Sequence, residues 1–285
     1  MALWVGWAFA QGLTHRVSRD PLPAREVERP LVLPKGWSEV VASVGRTRWS
    51  DIDYRPFPGE VTRREAALSA RVSMGPTVEL RARLPYADLS TGTVLGGGVG
   101  SSTVGVAWQL VRAEAPARSL GVHLGWTTPS AHARLPLGAA THQLQGFFTA
   151  RQQLGGLRLT AGLGGRVAPP REVPWLRDAH EQAQQVDLGE AALGRVQGLL
   201  QAGPLWGSLD LSAGFVGPDR IDGVVVTPAG WSVQLRPRGA VQWSRGWTTG
   251  IEGWQPLVER AALLAPAVDP LVAGRGLGLF VAASL

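Results

Sequence analysis

The 285-residue chain has no cysteine, a single lysine and no long hydrophobic run. The absence of cysteine excludes a disulfide scaffold and any zinc or redox chemistry that depends on thiolates. No apolar run approaches the roughly 18 residues that a transmembrane helix requires, which excludes a helical membrane protein. A membrane β-barrel remains compatible with the sequence, because apolar and polar residues alternate along barrel strands and leave no long apolar run.

Positive charge is abundant and is carried almost entirely by arginine. The formal net charge is +6 and the sequence pI is about 11.0, although Lys35 is the only lysine. A nucleic-acid-binding protein would gather this charge into one patch or helix. Here the arginines are spread through alternating segments, which indicates the polar face of a barrel and no nucleic-acid partner.

The stretch from Val61 to Tyr86 shows the clearest alternation of polar and apolar residues. On both sides of Gly75-Pro76, charged and apolar residues alternate. Charged residues therefore occupy one set of every-second positions, here called a parity, and apolar residues occupy the other. Successive side chains of a strand point to opposite faces, so this stretch predicts a hairpin with one charged and one apolar face. In a soluble sandwich the apolar face would pack inward, whereas in an outer-membrane barrel it would face lipid.

The whole chain contains about twelve segments of strand character, each close to the 9–11 residues that cross a bilayer at a tilt. They are Trp37–Trp49, Val61–Met74, Thr77–Tyr86, Ser102–Arg112, Arg118–Thr128, His142–Gln152, Leu157–Val167, Val186–Gln201, Leu205–Phe215, Trp231–Trp243, Trp247–Gln255 and Arg275–Leu285. An even number of strands lets a barrel close with both termini on one side.

The connections between these segments alternate in length. Short turns follow the even-numbered segments, for example at Gly75-Pro76, and long loops follow the odd-numbered ones, for example Ser50–Glu60 and Ala168–Gln185. Sandwiches and propellers have no reason to alternate in this way. The pattern is typical of a bacterial outer-membrane barrel with short periplasmic turns and long extracellular loops.

Tryptophans concentrate at the ends of the predicted strands. They lie at the short-turn end (Trp37, Trp243, Trp247) or at the long-loop end (Trp49, Trp126, Trp231, Trp254). This placement predicts two interfacial girdles. Trp108, in mid-strand, and Trp206, at lumen parity, do not follow the pattern. We therefore predict an all-β, antiparallel, up-and-down transmembrane barrel over residues 35–285, in the outer membrane of a Gram-negative bacterium.

The N-terminal region has a different composition. Residues 1–12 are apolar and end in Ala8-Phe9-Ala10, which predicts the cleavage end of a signal peptide whose basic beginning lies upstream. A frayed apolar terminus is the alternative. Residues 13–34 are rich in Pro, Arg and Glu and predict an extended periplasmic segment without a core of its own.

Motifs for catalysis are scarce. The glycine-rich stretch Gly96–Ser102 lacks the lysine of a phosphate-binding loop, and neither G-x-S-x-G nor H-E-x-x-H occurs. His123 alone among the histidines has lumen parity in mid-strand, where a neighbouring serine would make a barrel hydrolase. We favour a pore-lining histidine. We predict no enzymatic activity, no cofactor and no metal site.

The charged parity of the hairpin supplies the candidate functional residues. We expect the lumen to be lined by Arg63, Glu65, Arg71, Glu79, Arg81 and Arg83, with Gln109, His123, Arg151 and Arg158 from other strands. These residues would form either a constriction that selects solutes by charge or a salt-bridged ladder that fills the lumen. Like charges directly opposite each other destabilise a strand pair, so we predict Arg71 opposite Glu79, across a turn over Ser73–Thr77, and not opposite Arg81.

Several short motifs carry a resemblance to a known family. They are Arg29-Pro30-Leu31 followed by Pro34–Glu39, the stretch Gly75–Tyr86, Gly98–Ser101 with Val104–Val106, and Leu120–Pro129. In these the chain resembles the outer-membrane transporters named for the MetA pathway of phenol degradation. It departs from their pattern at Ser101, where the family has Asp, at Ala107-Trp108, and at Leu285, which replaces a terminal aromatic residue.

The resemblance implies a channel or transporter for the passive passage of small organic solutes, hydrophobic compounds among them. The expected partners are outer-membrane lipid, a small-molecule solute and the barrel-assembly machinery. The alternatives are an outer-membrane barrel hydrolase, a soluble β-rich binding protein, and a structural or adhesive role of the long loops.

Overall fold

A computed structural model describes residues 19–54, 57–90, 94–114, 117–130, 137–177, 180–258 and 274–285. These residues form seventeen β-strands, β1 to β17, and one short 3-10 helix, η1 (Glu26–Glu28). Within these ranges, no helix has the length and apolar character needed to cross a membrane. The predicted signal peptide, residues 1–12, lies outside the described residues.

Twelve of the strands form a closed antiparallel barrel. They are β1 (Ser38–Tyr54), β2 (Phe57–Ser73), β3 (Val78–Ser90), β5 (Thr103–Glu114), β6 (Ala117–Thr127), β7 (Gln143–Leu154), β8 (Leu157–Val167), β11 (Ala191–Ala202), β12 (Leu205–Val216), β15 (Gly230–Gln242), β16 (Trp247–Val258) and β17 (Arg275–Ser284). Each pairs with the next barrel strand along the chain, and β17 pairs with β1 to close the ring. The predicted fold class is confirmed.

Alternation along each strand determines the two faces of the wall. In β8, Leu159 and Leu163 are exposed on the outside, whereas Arg158 and Arg166 are buried on the inside. The same holds in β2 and β3, where Leu68 and Leu84 are more than half exposed. An exposed belt of leucine, valine and tryptophan is suited to lipid and not to water, so the apolar parity faces the membrane.

Two predicted boundaries were wrong. The loop expected over Ser50–Glu60 is instead a continuation of the hairpin, in which Tyr54 lies opposite Phe57 after an irregularity between Trp49 and Ile52. The eighth predicted segment, Val186–Gln201, is divided. Its first residues belong to a separate strand, β10, and the barrel strand β11 begins only at Ala191.

The predicted register of the hairpin was also wrong. Arg71 lies opposite Arg81, and Glu79 lies opposite Ser73. The turn comprises Met74–Thr77, and the Met74 amide donates a hydrogen bond to the Val78 carbonyl at 2.9 Å. The observed pairing differs from the predicted one by two residues. Since the side-chain period of a strand is two, every side chain keeps the predicted face.

Further strands lie at the long-loop end of the barrel. Strand β4 (Val94–Val99) extends the pairing of β3, and a separate four-stranded sheet contains β9 (Arg171–Arg177), β10 (Ala183–Asp187), β13 (Asp219–Ile221) and β14 (Val224–Thr227). An apolar cluster forms at this end from strand termini and loops. Its buried members include Trp49, Leu89, Leu137, Val173, Val186 and Leu188. This cluster gives the loops a core outside the membrane-spanning wall.

The tryptophan prediction holds for some residues and fails for others. Trp126 and Trp231 are exposed on the outer face at the long-loop end, and Trp243 and Trp247 are exposed at the short-turn end. Trp49 and Trp254 point inward, because they share the parity of lumen residues such as Thr47 and Glu252. These two residues therefore belong to the interior and not to a girdle.

The described part of the N-terminal segment, residues 19–37, enters the barrel at the short-turn end. It hydrogen-bonds to inward side chains of strands on opposite sides of the ring, such as Glu79 of β3 and Gln201 of β11. Val27 and Val32 are almost completely buried. A segment in contact with opposite inner walls of a closed barrel lies inside it. Its composition predicts an extended segment without a core of its own and leaves its position relative to the wall open.

Candidate functional site: the barrel lumen

Glu79 is the centre of an ion-pair network in the short-turn half of the lumen. Its side chain is fully buried. It accepts hydrogen bonds from Arg71 at 2.9 Å and from Arg81 Nε at 2.6 Å. The amide of Leu33 in the N-terminal segment donates to the same carboxylate at 2.7 Å. One carboxylate thus offsets the repulsion between two arginines that face each other, and it also binds the segment to the wall.

A second carboxylate, Glu39 of β1, continues the network towards the N-terminal segment. Its two oxygens accept hydrogen bonds from Arg71 and Arg29, each at 3.2 Å. Arg29 also pairs with Glu26 at 3.0 Å and donates to the Arg245 carbonyl at 2.8 Å. Arg29 is almost completely buried, so its charge is satisfied by protein groups and not by water.

The backbone of the N-terminal segment is held by inward side chains of several strands. A buried backbone without secondary structure requires such partners. The bonds are Gln242 Nε2 to the Ala24 carbonyl (2.7 Å), the Val27 amide to Gln201 Oε1 (3.0 Å), Arg151 Nη1 to the Arg29 carbonyl (3.0 Å), and Arg81 and Arg71 Nη2 to the Leu31 carbonyl (3.3 and 3.4 Å). The segment is therefore a bound part of the barrel interior.

The long-loop half of the lumen contains ion pairs between wall residues alone. Glu65 pairs with both Arg63 and Arg83. Asp210 of β12 pairs with Arg195 of β11, and Glu252 of β16 pairs with Arg238 of β15 at 2.7 Å. None of these pairs includes a residue of the N-terminal segment.

Arg236 of β15 is different from these paired arginines. It points into the lumen opposite Asp210, yet it makes no hydrogen bond or ion pair with any described residue. Its nearest acidic neighbours, Asp210 and Glu252, are each bound to another arginine. Among the described residues, the guanidinium of Arg236 therefore lies near two carboxylates but has no hydrogen-bond or ion-pair partner of its own.

Three of the cavities lined by the described residues follow one another along the lumen. The upper one, of about 610 Å³, is lined by Arg236 and Trp254, among others. The middle one, of about 370 Å³, contains His123 and shares Arg195 with the upper cavity. The lower one is smaller, about 180 Å³, and shares Arg151 and Arg158 with the middle cavity. The N-terminal segment separates the middle cavity from the lower one.

All ten predicted lumen residues are at the predicted parity, but they do not form one site. Arg71, Glu79, Arg81, Arg151 and Arg158 bind the N-terminal segment or its network, whereas Arg63, Glu65 and Arg83 line the upper cavity. Gln109 is buried at the short-turn end. Its backbone N–H donates a hydrogen bond to the Thr77 carbonyl at 2.8 Å.

His123 faces the middle cavity and makes no hydrogen bond with the described residues, so a serine–histidine pair is not formed among them. The described residues also contain no group of three or more His, Asp and Glu side chains that could hold a metal ion. The sequence reasoning missed Arg195, Asp210, Arg236 and Arg238. The alternation of Ser232, Gln234, Arg236 and Arg238 is the signal that could have identified the last two.

Comparison with known proteins supports the class of this protein through its structure. No protein-family profile matches the sequence, and no curated protein matches it. The fold is similar to that of the COG4313 outer membrane channel from Pseudomonas putida F1, with a TM-score of 0.68 and 13% identity over 93% of this chain and 99% of that one. The KdgM porin is more distant, with a TM-score of 0.46 and 8% identity over 87% of this chain and 99% of its own.

The chain is an outer-membrane β-barrel of a Gram-negative bacterium. The solved structure with the TM-score of 0.68 is that of an outer membrane channel. In such a barrel the short turns lie on the periplasmic side and the long loops on the extracellular side. The N-terminal segment therefore lies in the periplasmic half of the lumen, and Arg236 lies above it on the extracellular side.

Proposed function

We propose that this barrel is a passive channel for small organic solutes and that it prefers anions to cations. The observation that carries the proposal is the guanidinium of Arg236, which faces an open cavity of about 610 Å³ and has no hydrogen-bond or ion-pair partner among the described residues. A cation without a protein partner attracts anions and repels cations, and rings of charged side chains select ions in this way.

The surroundings of Arg236 indicate which part of a solute could bind there. Trp254 and Phe147 line the same cavity and offer aromatic surface for an apolar body. A cavity lined by an arginine and by aromatic side chains suits a carboxylate attached to a small hydrophobic group. The resemblance to transporters named for phenol degradation supports the same class of small organic compound.

The N-terminal segment suggests that the resting channel is narrow. It separates the middle and lower cavities and is bonded to the wall on several sides. We infer that complete passage requires displacement of this segment, whereas solutes reach the upper cavity from the extracellular side without it.

The channel and its selectivity can be tested in planar lipid bilayers. With a KCl gradient across the bilayer, we expect the wild-type reversal potential to indicate anion preference and Arg236→Gln to shift it towards zero. Arg64→Gln is the matched control, because Arg64 is exposed on the lipid-facing side of the wall. Absence of conductance in the wild type and after removal of residues 19–33 would contradict the channel. An unchanged reversal potential in Arg236→Gln would contradict the selectivity.

A further inference from the structure

Four arginines lie on the outer face of the barrel at its extracellular end. They are Arg46 and Arg48 of β1, Arg64 of β2 and Arg275 of β17, and all four side chains are exposed. They share the outward parity of Val44, Leu68 and Leu277, which form the apolar belt below them. We call these four residues the outer arginine cluster.

The cluster is confined to three neighbouring strands, since β17 pairs with β1 and β1 with β2. On other strands, most outward residues at this end are apolar or aromatic; the exceptions include Asp88 of β3, which lies opposite Arg64, and Gln255 of β16. Exposed apolar and aromatic examples are Trp126, Leu144, Val167, Phe215, Trp231 and Leu257. The outer surface at the extracellular end is therefore basic on one side of the barrel and mostly apolar elsewhere along these strands.

The register places like charges opposite each other in this cluster. Arg46 lies opposite Arg64, and Arg48 lies opposite Arg275. Arg48 pairs with Glu60, but in the part of the chain that the structure describes the other three arginines make no hydrogen bond or ion pair. Like charges that face each other across a strand pair are destabilising unless an anion lies between them.

In the lumen, a carboxylate offsets the repulsion between two arginines that face each other. Arg71 and Arg81 also face each other, and there Glu79 bonds to both. For Arg46 and Arg64 no described carboxylate has this role. Two described carboxylates lie beside these four arginines: Glu60, which pairs with Arg48, and Asp88 of β3, which lies opposite Arg64. The outer arginine cluster therefore keeps an excess of positive charge that favours a further anion.

The depth of the cluster indicates where that anion comes from. With about 3.3 Å of rise per residue and a tilt of about 40°, Arg46 lies on the order of 20 Å above Ser38 at the periplasmic end of β1. The apolar band of an outer-membrane barrel is about 25 Å tall. Long arginine side chains extend their charged ends towards the interface, so the guanidinium groups reach the level of the lipid headgroups.

We propose that the outer arginine cluster binds the phosphate groups of a lipid of the outer leaflet, the phosphorylated glucosamine lipid called lipid A. Arginine binds phosphate through two parallel N–H groups, and several arginines can surround one phosphate. A bound phosphate between Arg46 and Arg64 would offset their repulsion. This proposal does not depend on the channel function, because the cluster and the lumen are on opposite faces of the wall.

The proposal can be tested by thermal unfolding of the purified full chain in zwitterionic detergent. We expect lipid A with two phosphates to raise the melting temperature, because a ligand that binds only the folded state stabilises it. The variant Arg46→Gln/Arg64→Gln should lose most of this increase. The control Arg112→Gln/Arg118→Gln changes two exposed arginines that line the lower cavity at the periplasmic end and should keep it.

Two further measurements distinguish lipid binding from other effects. Without lipid A, the Arg46→Gln/Arg64→Gln variant should melt at the wild-type temperature or above it, since a like-charged pair is removed. With lipid A, the Arg46→Lys/Arg64→Lys variant should keep part of the increase in melting temperature. Dephosphorylated lipid A and inorganic phosphate should give no increase. An equal increase in the wild type and in the glutamine variant, or an equal increase with inorganic phosphate, would overturn the proposal.

Discussion

The two halves of the lumen use arginine in different ways. In the periplasmic half, Arg71 and Arg81 share one buried carboxylate and bond to the backbone of the N-terminal segment. In the extracellular half, Arg236 faces a cavity without a partner among the described residues. The role of a lumen arginine is therefore decided by the acceptors within its reach and not by its parity on the strand.

The largest expected effect is on conductance. Removal of residues 19–33 should raise single-channel conductance several-fold, because this segment separates the middle and lower cavities. Arg195→Ala changes only the wall between the upper and middle cavities and should have a small effect. Equal conductance of the wild type and the truncated chain in planar bilayers would show that the segment does not block the path.

The second prediction concerns Glu79. Glu79→Gln leaves Arg71 and Arg81 opposite each other without a shared carboxylate, and it should lower the free energy of unfolding by about 3 kcal/mol. Denaturant unfolding in detergent measures this loss, and trypsin should cleave the released segment after Arg25. The control Glu252→Gln, in the extracellular half, should cost about 1 kcal/mol and leave the segment protected.

The third prediction concerns Gln201, whose side chain accepts a hydrogen bond from the segment. Gln201→Leu removes the acceptor of the buried Val27 amide, which should cost about 2 kcal/mol, the typical penalty of a buried donor without a partner. It also removes the bonds that Gln201 Nε2 donates to Gln242 Oε1 and to the Gly203 carbonyl, which add to this loss. Gln197→Leu is the matched control on the same strand, because Gln197 lines the middle cavity and makes no hydrogen bond with the described residues. Similar losses in both variants would mean that β11 is sensitive to any apolar substitution.

The smallest expected effect is at Arg83, two residues from Arg81 on β3. The Arg83 side chain is 44% exposed and shares Glu65 with Arg63. Arg83→Gln should therefore change the free energy of unfolding by about 0.5 kcal/mol or less. The comparison of Arg83→Gln with Arg81→Gln tests whether arginines of the two halves of the lumen differ in their contribution to stability even when they lie on one strand. A loss as large as that of Arg81→Gln would remove the contrast.

Alternation was sufficient to predict the strands and the direction of their side chains. The register of the hairpin could not be predicted in the same way, since pairings that differ by two residues place the same side chains on the same faces. The rule against like-charged pairs then selected the wrong alternative. It did not account for Glu79, which bonds diagonally to Arg71 and also to its neighbour Arg81.

No periodic pattern in the sequence indicates the position of the N-terminal segment. Its backbone groups bond to side chains far away in sequence, as in the bond from Val27 to Gln201 across 174 positions. Composition alone describes such a segment as extended and polar, and this description fits both a solvated segment and one inside a barrel. Arg236, in contrast, could have been found, because the alternation of β15 places it on the inward face beside Arg238.

The small sheet above the barrel constrains the order of folding. Strand β10 precedes the hairpin of β11 and β12 and pairs with β13, which follows this hairpin. Val186 and Ile221 can meet only when both loops have reached the extracellular side of the membrane. The pairing of β10 with β13 is therefore a late event, and protection of its amides from hydrogen exchange would report that this hairpin has been inserted.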